Sequence, residues 1–202
     1  MSALLLKDWY MAKKYCGAFM LVILVFLALS FVSSNVIFYT YPCMMAGLMP
    51  YTLYSYDERE RFTAFCATMP VTRRQYVSEK YLFGLIASAV TLMLTLAAVL
   101  INGEMGAGEL LPVMSAAVAS ALISEAVMLP FGMRFGAEKG RIMFLAIVAV
   151  LFASLYIVMT PESLGSVTFS TQALCAAALA ASVALLAASW LISQRVYSRK
   201  EL

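Results

Sequence analysis

Six long runs of apolar residues, separated by short polar connections, organise the chain: 16–33, 36–55, 81–101, 111–131, 142–160 and 173–192. Each is close to the ~20 residues that cross a ~30 Å hydrocarbon layer at about 1.5 Å per residue. None contains Lys, Arg or Asp, and only one contains a Glu, Glu125. The runs are continuously apolar and about twice as long as the ~10-residue alternating strands of a membrane barrel. A helix satisfies its backbone groups within one segment, so these runs predict helices. The expected fold class is an all-α integral membrane protein with six transmembrane helices, forming one membrane domain over 1–202.

The connections carry their own patterns. The longest, 56–80, reads YDERERFTAFCATMPVTRRQYVSEK. Phe62, Phe65, Cys66 and Met69 have helical spacing, and Asp57, Glu58 and Glu60 precede them where a helix dipole favours negative charge. Pro70 ends that helix, and Thr72 with Gln75 has the spacing of a capping box opening the next one. The loop thus reads as a short amphipathic helix over 57–69, a break, and the start of the third span. Lying on the headgroups is the alternative role for such a helix. The N-terminal segment LLLKDWYMAKKY is a second amphipathic helix, with Leu5, Trp9 and Ala12 near one face and Lys7 and Lys14 on another. Trp9, Tyr10 and Tyr15 suit the headgroup level, which favours membrane anchoring.

Composition agrees: 63% of residues are hydrophobic and 12% charged, about half the charged share of a soluble domain. The net charge of +3 is too small to argue for nucleic acid. The placement of the charges matters more. With the N-terminus inside, all 14 Lys and Arg fall on the cytoplasmic side. The outer connections 34–35, 102–110 and 161–172 hold none, and carry Glu104, Glu109 and Glu162 instead. The positive-inside rule therefore puts both termini in the cytoplasm.

Few residues offer chemistry. There is no histidine, which excludes His-based metal sites and Ser-His-Asp triads. Cys16, Cys43, Cys66 and Cys175 are far apart and read as small apolar residues. Glu125 is the one ionisable side chain inside a span, and an intramembrane carboxyl is a candidate functional group. Ala117 and Ala121 share its face and should pack on another helix. The second span carries Pro42 and Pro50, with Tyr39, Cys43, Gly47 and Tyr54 near one face. Such a helix either lines a pathway or packs in the bundle. Tyr39, Pro42, Pro50, Tyr54 and Glu125 are the candidate pathway residues. Ala176, Ala180, Ala184 and Ala188 form a small-residue ridge that predicts close helix contact, within or between subunits. The chain has no G-x-x-x-x-G-K-[ST] phosphate loop, no H-E-x-x-H and no G-x-S-x-G.

Three segments carry a family resemblance. Leu4-Leu5-Leu6-Lys7-Asp8 with Lys13-Lys14, Met69-Pro70-Val71-Thr72-Arg73 with Lys80-Tyr81-Leu82, and Phe135-Gly136-Ala137-Glu138-Lys139-Gly140-Arg141 occur in order, all on the cytoplasmic side. Together they resemble the ABC-2 type permease family, in particular its short six-span bacterial members. The resemblance implies a transport subunit in the bacterial cytoplasmic membrane that is not itself an enzyme. It implies a separate ATP-binding cassette subunit that binds ATP and Mg, and a second permease copy or paralogue. It makes 56–80 the coupling loop, with Asp57, Glu58, Arg59, Glu60, Arg61, Phe62, Phe65, Met69 and Arg73 facing the ATPase. Arg134, Glu138, Lys139 and Arg141 form the second cytoplasmic loop. Export of peptides or antibiotics is the implied activity. An ion-coupled transporter or channel using Glu125, and a non-transporting membrane sensor or scaffold, remain the other readings of the residues.

Overall fold

The computed structural model describes residues 2–32, 35–66, 72–103, 107–159 and 171–198. It contains α1 (Ser2–Tyr15), α2 (Gly17–Ser30), α3 (Val36–Arg59), α4 (Phe62–Cys66), α5 (Arg73–Asn102), α6 (Ala107–Met159) and α7 (Thr171–Ser198). Among the described residues there is no strand, and the chain is an all-α membrane protein. Helix α5, Leu110–Gly136 of α6 and Cys175–Ser198 of α7 are each long and apolar enough to cross a bilayer. Helices α1 and α2 meet at a 71° bend and supply a fourth crossing if the pair counts as one. The other two expected spans fall on α3 and on the end of α6. Most side chains of 142–159 lie outside the described residues, although the backbone there is helical.

Helix α3 is less apolar because it is the hub. Its Tyr, Thr and Pro residues are buried almost all round from Tyr39 to Tyr54, as expected of a helix enclosed by others. It packs against α2, α5 and α6. The helix continues through both Pro42 and Pro50. The buried surface therefore covers the whole circumference, rather than one face through Tyr39, Cys43, Gly47 and Tyr54. Gly47 sets the distance to α6, since a Cβ there would collide with the Ala121 carbonyl oxygen. Cys43, Ala117 and Ala121 form one buried cluster, so the small face of α6 does pack on another helix.

Side-chain hydrogen bonds fix the helix ends. Thr72 and Gln75 close the capping box of α5, with Gln75 N–H donating to Thr72 Oγ1 at 3.3 Å and Thr72 N–H to Gln75 Oε1 at 3.0 Å. At the far end of α5, Asn102 Nδ2 donates to Ser30 O and to Tyr39 Oη, both at 2.8 Å. That one amide ties the ends of α2, α3 and α5 together.

Helix α7 turns Cys175, Ser182, Ser189, Ser193 and Tyr197 inward. Its ridge of Ala176, Ala180, Ala184 and Ala188 is exposed, so among the described residues that ridge is not packed against another helix.

Candidate functional site

At the end of the bundle that carries the Lys and Arg residues, four charged side chains converge from three helices. Lys80, at the start of α5, is fully buried, and its Nζ donates to Asp8 Oδ2 at 2.5 Å and lies 2.7 Å from Asp57 Oδ2. Lys7 of α1, 22% exposed, donates to both Asp57 oxygens at 2.7 and 2.8 Å and lies 3.1 Å from Asp8 Oδ1. Tyr76 adds a 2.9 Å hydrogen bond to Asp57 Oδ2 and stacks on Tyr197 at 5.3 Å. Buried charges persist only when paired and hydrogen-bonded, and here two amines face two aspartates. Burial by itself would push the Asp8 carboxyl up, but Lys80 and Lys7 hold it below the usual carboxylate range. Glu79 is buried beside them, with Oε2 3.9 Å from Lys80 Nζ.

This cluster overturns two details of the sequence reading. Asp57 and Glu58 are in the last turn of α3, not the opening turn of an amphipathic helix. Asp57 is 1% exposed, because two amines from distant segments draw it inward, and it cannot touch a docked protein. The inward face of α1 is Leu4, Asp8 and Ala12; Ala12 is on the expected face, but Leu4 and Asp8 take the places expected for Leu5 and Trp9. Trp9 and Tyr10 point outward, at 49% and 64% exposure. An aspartate at the centre of a buried face defeats a reading based on apolarity. The usable signal was the four-residue spacing of Leu4, Asp8 and Ala12, with Lys80 directly before an apolar run.

Beyond Asp57 the chain turns a sharp corner. Glu60 and Arg61 donate their N–H groups to Tyr56 O and Glu58 O. Arg61 has φ 55°, a left-handed conformation that costs about 1 kcal/mol for a side chain larger than glycine. Helix α4 then begins at Phe62 and is described to Cys66, so the helix expected over 57–69 starts five residues later, and 67–69 lie outside the described residues. Phe62 turns inward beneath Lys7, whose Nζ is 3.8 Å from its ring centre. Cys66 is buried, which pushes its thiol pKa up. Phe65 is 55% exposed, and Arg59, Glu60 and Arg61 are exposed beside it. Arg73, also exposed, donates from Nη1 to Ser198 O at 2.9 Å. Met69 lies outside the described residues.

The second basic segment follows a single-residue break. Gly136 has φ 82° and ψ 171° inside α6, a region open essentially to glycine alone. Its Cα faces Glu58, whose carboxyl oxygens would lie 3.6 Å from a Cβ at this position. Arg134 is exposed, 5.3 Å from the Phe135 ring centre. The side chains of Glu138, Lys139 and Arg141 lie outside the described residues.

The candidate pathway residues are buried. Tyr39 is held by Asn102, and Tyr54 packs with Tyr76, Tyr81 and Leu129. Pro42 and Pro50 are enclosed within α3. Glu125 is fully buried, and neither carboxyl oxygen has a hydrogen-bond partner among the described residues. It faces Gly84 of α5, where a Cβ would lie 2.6 Å from the Glu125 Cδ and 2.6 Å from Pro50 Cγ. Nearby, Tyr81 Oη makes hydrogen bonds with Ser189 Oγ (2.6 Å) and Ser193 Oγ (2.8 Å). Ser189 Oγ is 2.5 Å from its acceptor, Ala126 O. These bonds join α5, α6 and α7. Among the described residues, no group of three or more Cys, Asp and Glu side chains could hold a metal ion.

A helical membrane core with buried charges gathered at one end defines a polytopic membrane protein. The family described as ABC-2 family transporter protein matches residues 3–198. The chain belongs to that family, as a permease component of an ABC transporter. No curated protein and no solved structure matches it.

Proposed function

We propose that this chain is the permease subunit of an ATP-driven exporter. A separate ATP-binding subunit docks at the corner between α3 and α4, on the cytoplasmic side. The observation that carries this reading is the construction of that corner. Arg59, Glu60, Arg61 and Phe65 are exposed at the end of the hub helix, and two residues earlier Asp57 is bonded to α1 and α5. A push on the corner is thereby delivered to three helices at once. Helix α3, continuous from Val36 to Arg59, carries it on to Pro50 and Gly47 in the core. ATP and Mg bind in the partner, which performs the hydrolysis, and closure of the partner switches access from the inner to the outer side. A second permease copy or paralogue completes the path, and the exposed alanine ridge of α7 favours close contact with it.

The test has two parts. The tagged chain, purified from native membranes in mild detergent, should bring along a stoichiometric protein containing a phosphate loop. Arg59→Glu with Arg61→Glu should insert normally and lose both that partner and transport. Full transport in the double variant would remove the docking assignment. Flux driven by an ion gradient, with no ATPase bound, would instead favour a transporter built on Glu125.

A further inference from the structure

Helices α5 and α6 part on the outer side of Glu125, leaving a cavity of about 170 Å³ against α3. Its walls are apolar, made by Leu85, Leu92, Ala121 and Leu122 among others. Leu85 and Ala89 are both exposed, so the groove opens sideways, toward the hydrocarbon layer. Two polar groups break the apolar lining pattern. Ser88 lines the groove, is 8% exposed, and its Oγ has no hydrogen-bond partner among the described residues. Glu125 lies one helical turn beyond Ala121 and Leu122 on the same face of α6. It touches Gly84, which is one turn before Ser88 on α5. One helical turn beyond the inner end of the apolar groove, behind its lining, is a buried carboxyl with both oxygens unbonded among the described residues.

Buried polar groups are almost always hydrogen-bonded, and a charge in hydrocarbon needs a partner. No Lys or Arg lies in this part of α3, α5 or α6. The missing complement is a cation with N–H donors, attached to an apolar body. We propose that the α5–α6 groove binds an amphiphile carrying a primary ammonium group. The ammonium meets Glu125, Ser88 Oγ accepts a second N–H, and the alkyl part lies along Leu85, Leu92 and Val118. Gly84 leaves room for the carboxyl between α5 and α6, because any side chain there would occupy the carboxyl's place. The ligand enters laterally from the bilayer. This deepens the permease reading and rests on it by naming a substrate class.

The test is equilibrium binding of radiolabelled dodecylamine to the full chain in nanodiscs of zwitterionic lipid, with empty nanodiscs as the reference. A saturable component above lipid partitioning is expected, competed by unlabelled dodecylamine and not by dodecanol. Glu125→Gln should weaken it about tenfold or more, the loss expected for a charge-assisted hydrogen bond. Val118→Trp, which fills the groove from a half-buried wall position, should abolish it. Absence of saturable binding, equal competition by dodecanol, or wild-type affinity in Glu125→Gln overturns the proposal. Should Glu125→Gln fail to fold, judged by its melting, Val118→Trp decides, and binding retained there is equally fatal. The assay contains no ATPase, so its failure leaves the permease reading standing, and that reading fails only by the co-purification test.

Discussion

Replacing Lys80 with methionine keeps the length and apolar stem of the side chain and deletes only the buried amine. That amine is fully enclosed and serves Asp8 at 2.5 Å and Asp57 at 2.7 Å. Without it, Asp57 keeps Lys7 and the Tyr76 hydroxyl, while of the two amines Asp8 keeps Lys7, at 3.1 Å. Removing one partner of a buried ion pair costs about 3–5 kcal/mol, because the other charge stays buried and unmatched. At about 2–4 °C per kcal/mol for a chain of this size, the apparent melting temperature in detergent should fall by roughly 10 °C. Lys7→Met is the internal comparison. Lys7 is 22% exposed, so water partly replaces it, and the loss should be about 1.5 kcal/mol. Lys80→Met combined with Asp8→Asn should recover part of the deficit, since the stranded carboxylate goes with its partner. A Lys80→Met protein melting within about 2 °C of wild type, or a Lys7→Met protein that is the less stable of the two, would refute the reasoning.

Four further outcomes follow from other parts of the fold. The folded Asp8 carboxyl is held below its unfolded value, near 3.9. Its contribution is therefore complete above about pH 4 and disappears as pH falls through the lower folded value. Melting curves from pH 5 to pH 3 should steepen for wild type relative to Asp8→Asn, and parallel curves would contradict this. Gly47→Ala must push α3 away from the Ala121 carbonyl and should cost about 1–3 kcal/mol by overpacking. Gly17→Ala, with nothing within 4 Å, should be neutral or stabilising in the same thermal assay. Gly136→Ala meets only ordinary contacts with Glu58, so its penalty is the backbone's alone, about 1–3 kcal/mol at φ 82°, read as a lower melting temperature.

Much of the fold was legible because lipid is a demanding solvent. Long apolar runs, charges on one side and the Thr72–Gln75 box each follow from local rules, and the box and the helical class recur in the structure. The charge cluster was not legible, because the bonds that tie α1 into it span 50 and 72 residues and a single sequence holds no signal of pairing across that distance. The corner after α3 was misplaced for a related reason. Glu60 and Arg61 turn although their neighbours favour helix, and the turn leaves Arg61 at φ 55°. Glu125 stood out in the sequence as the lone intramembrane carboxyl. Its contact with Gly84 and the apolar groove beside it depend on how α5 and α6 diverge, which spacing does not encode.

The charge cluster also has a bearing on how the chain is made. Helix α1 leaves the ribosome before α5, and the amine that matches its Asp8 is made 72 residues later. Until α5 has been inserted, Asp8 can stay ionised only in water or among the headgroups, so α1 has reason to wait at the surface. Docking of α1 thus waits for α5. A chain cut short before Lys80 leaves this seat unfilled, and Asp8 and Asp57 without the buried amine they share.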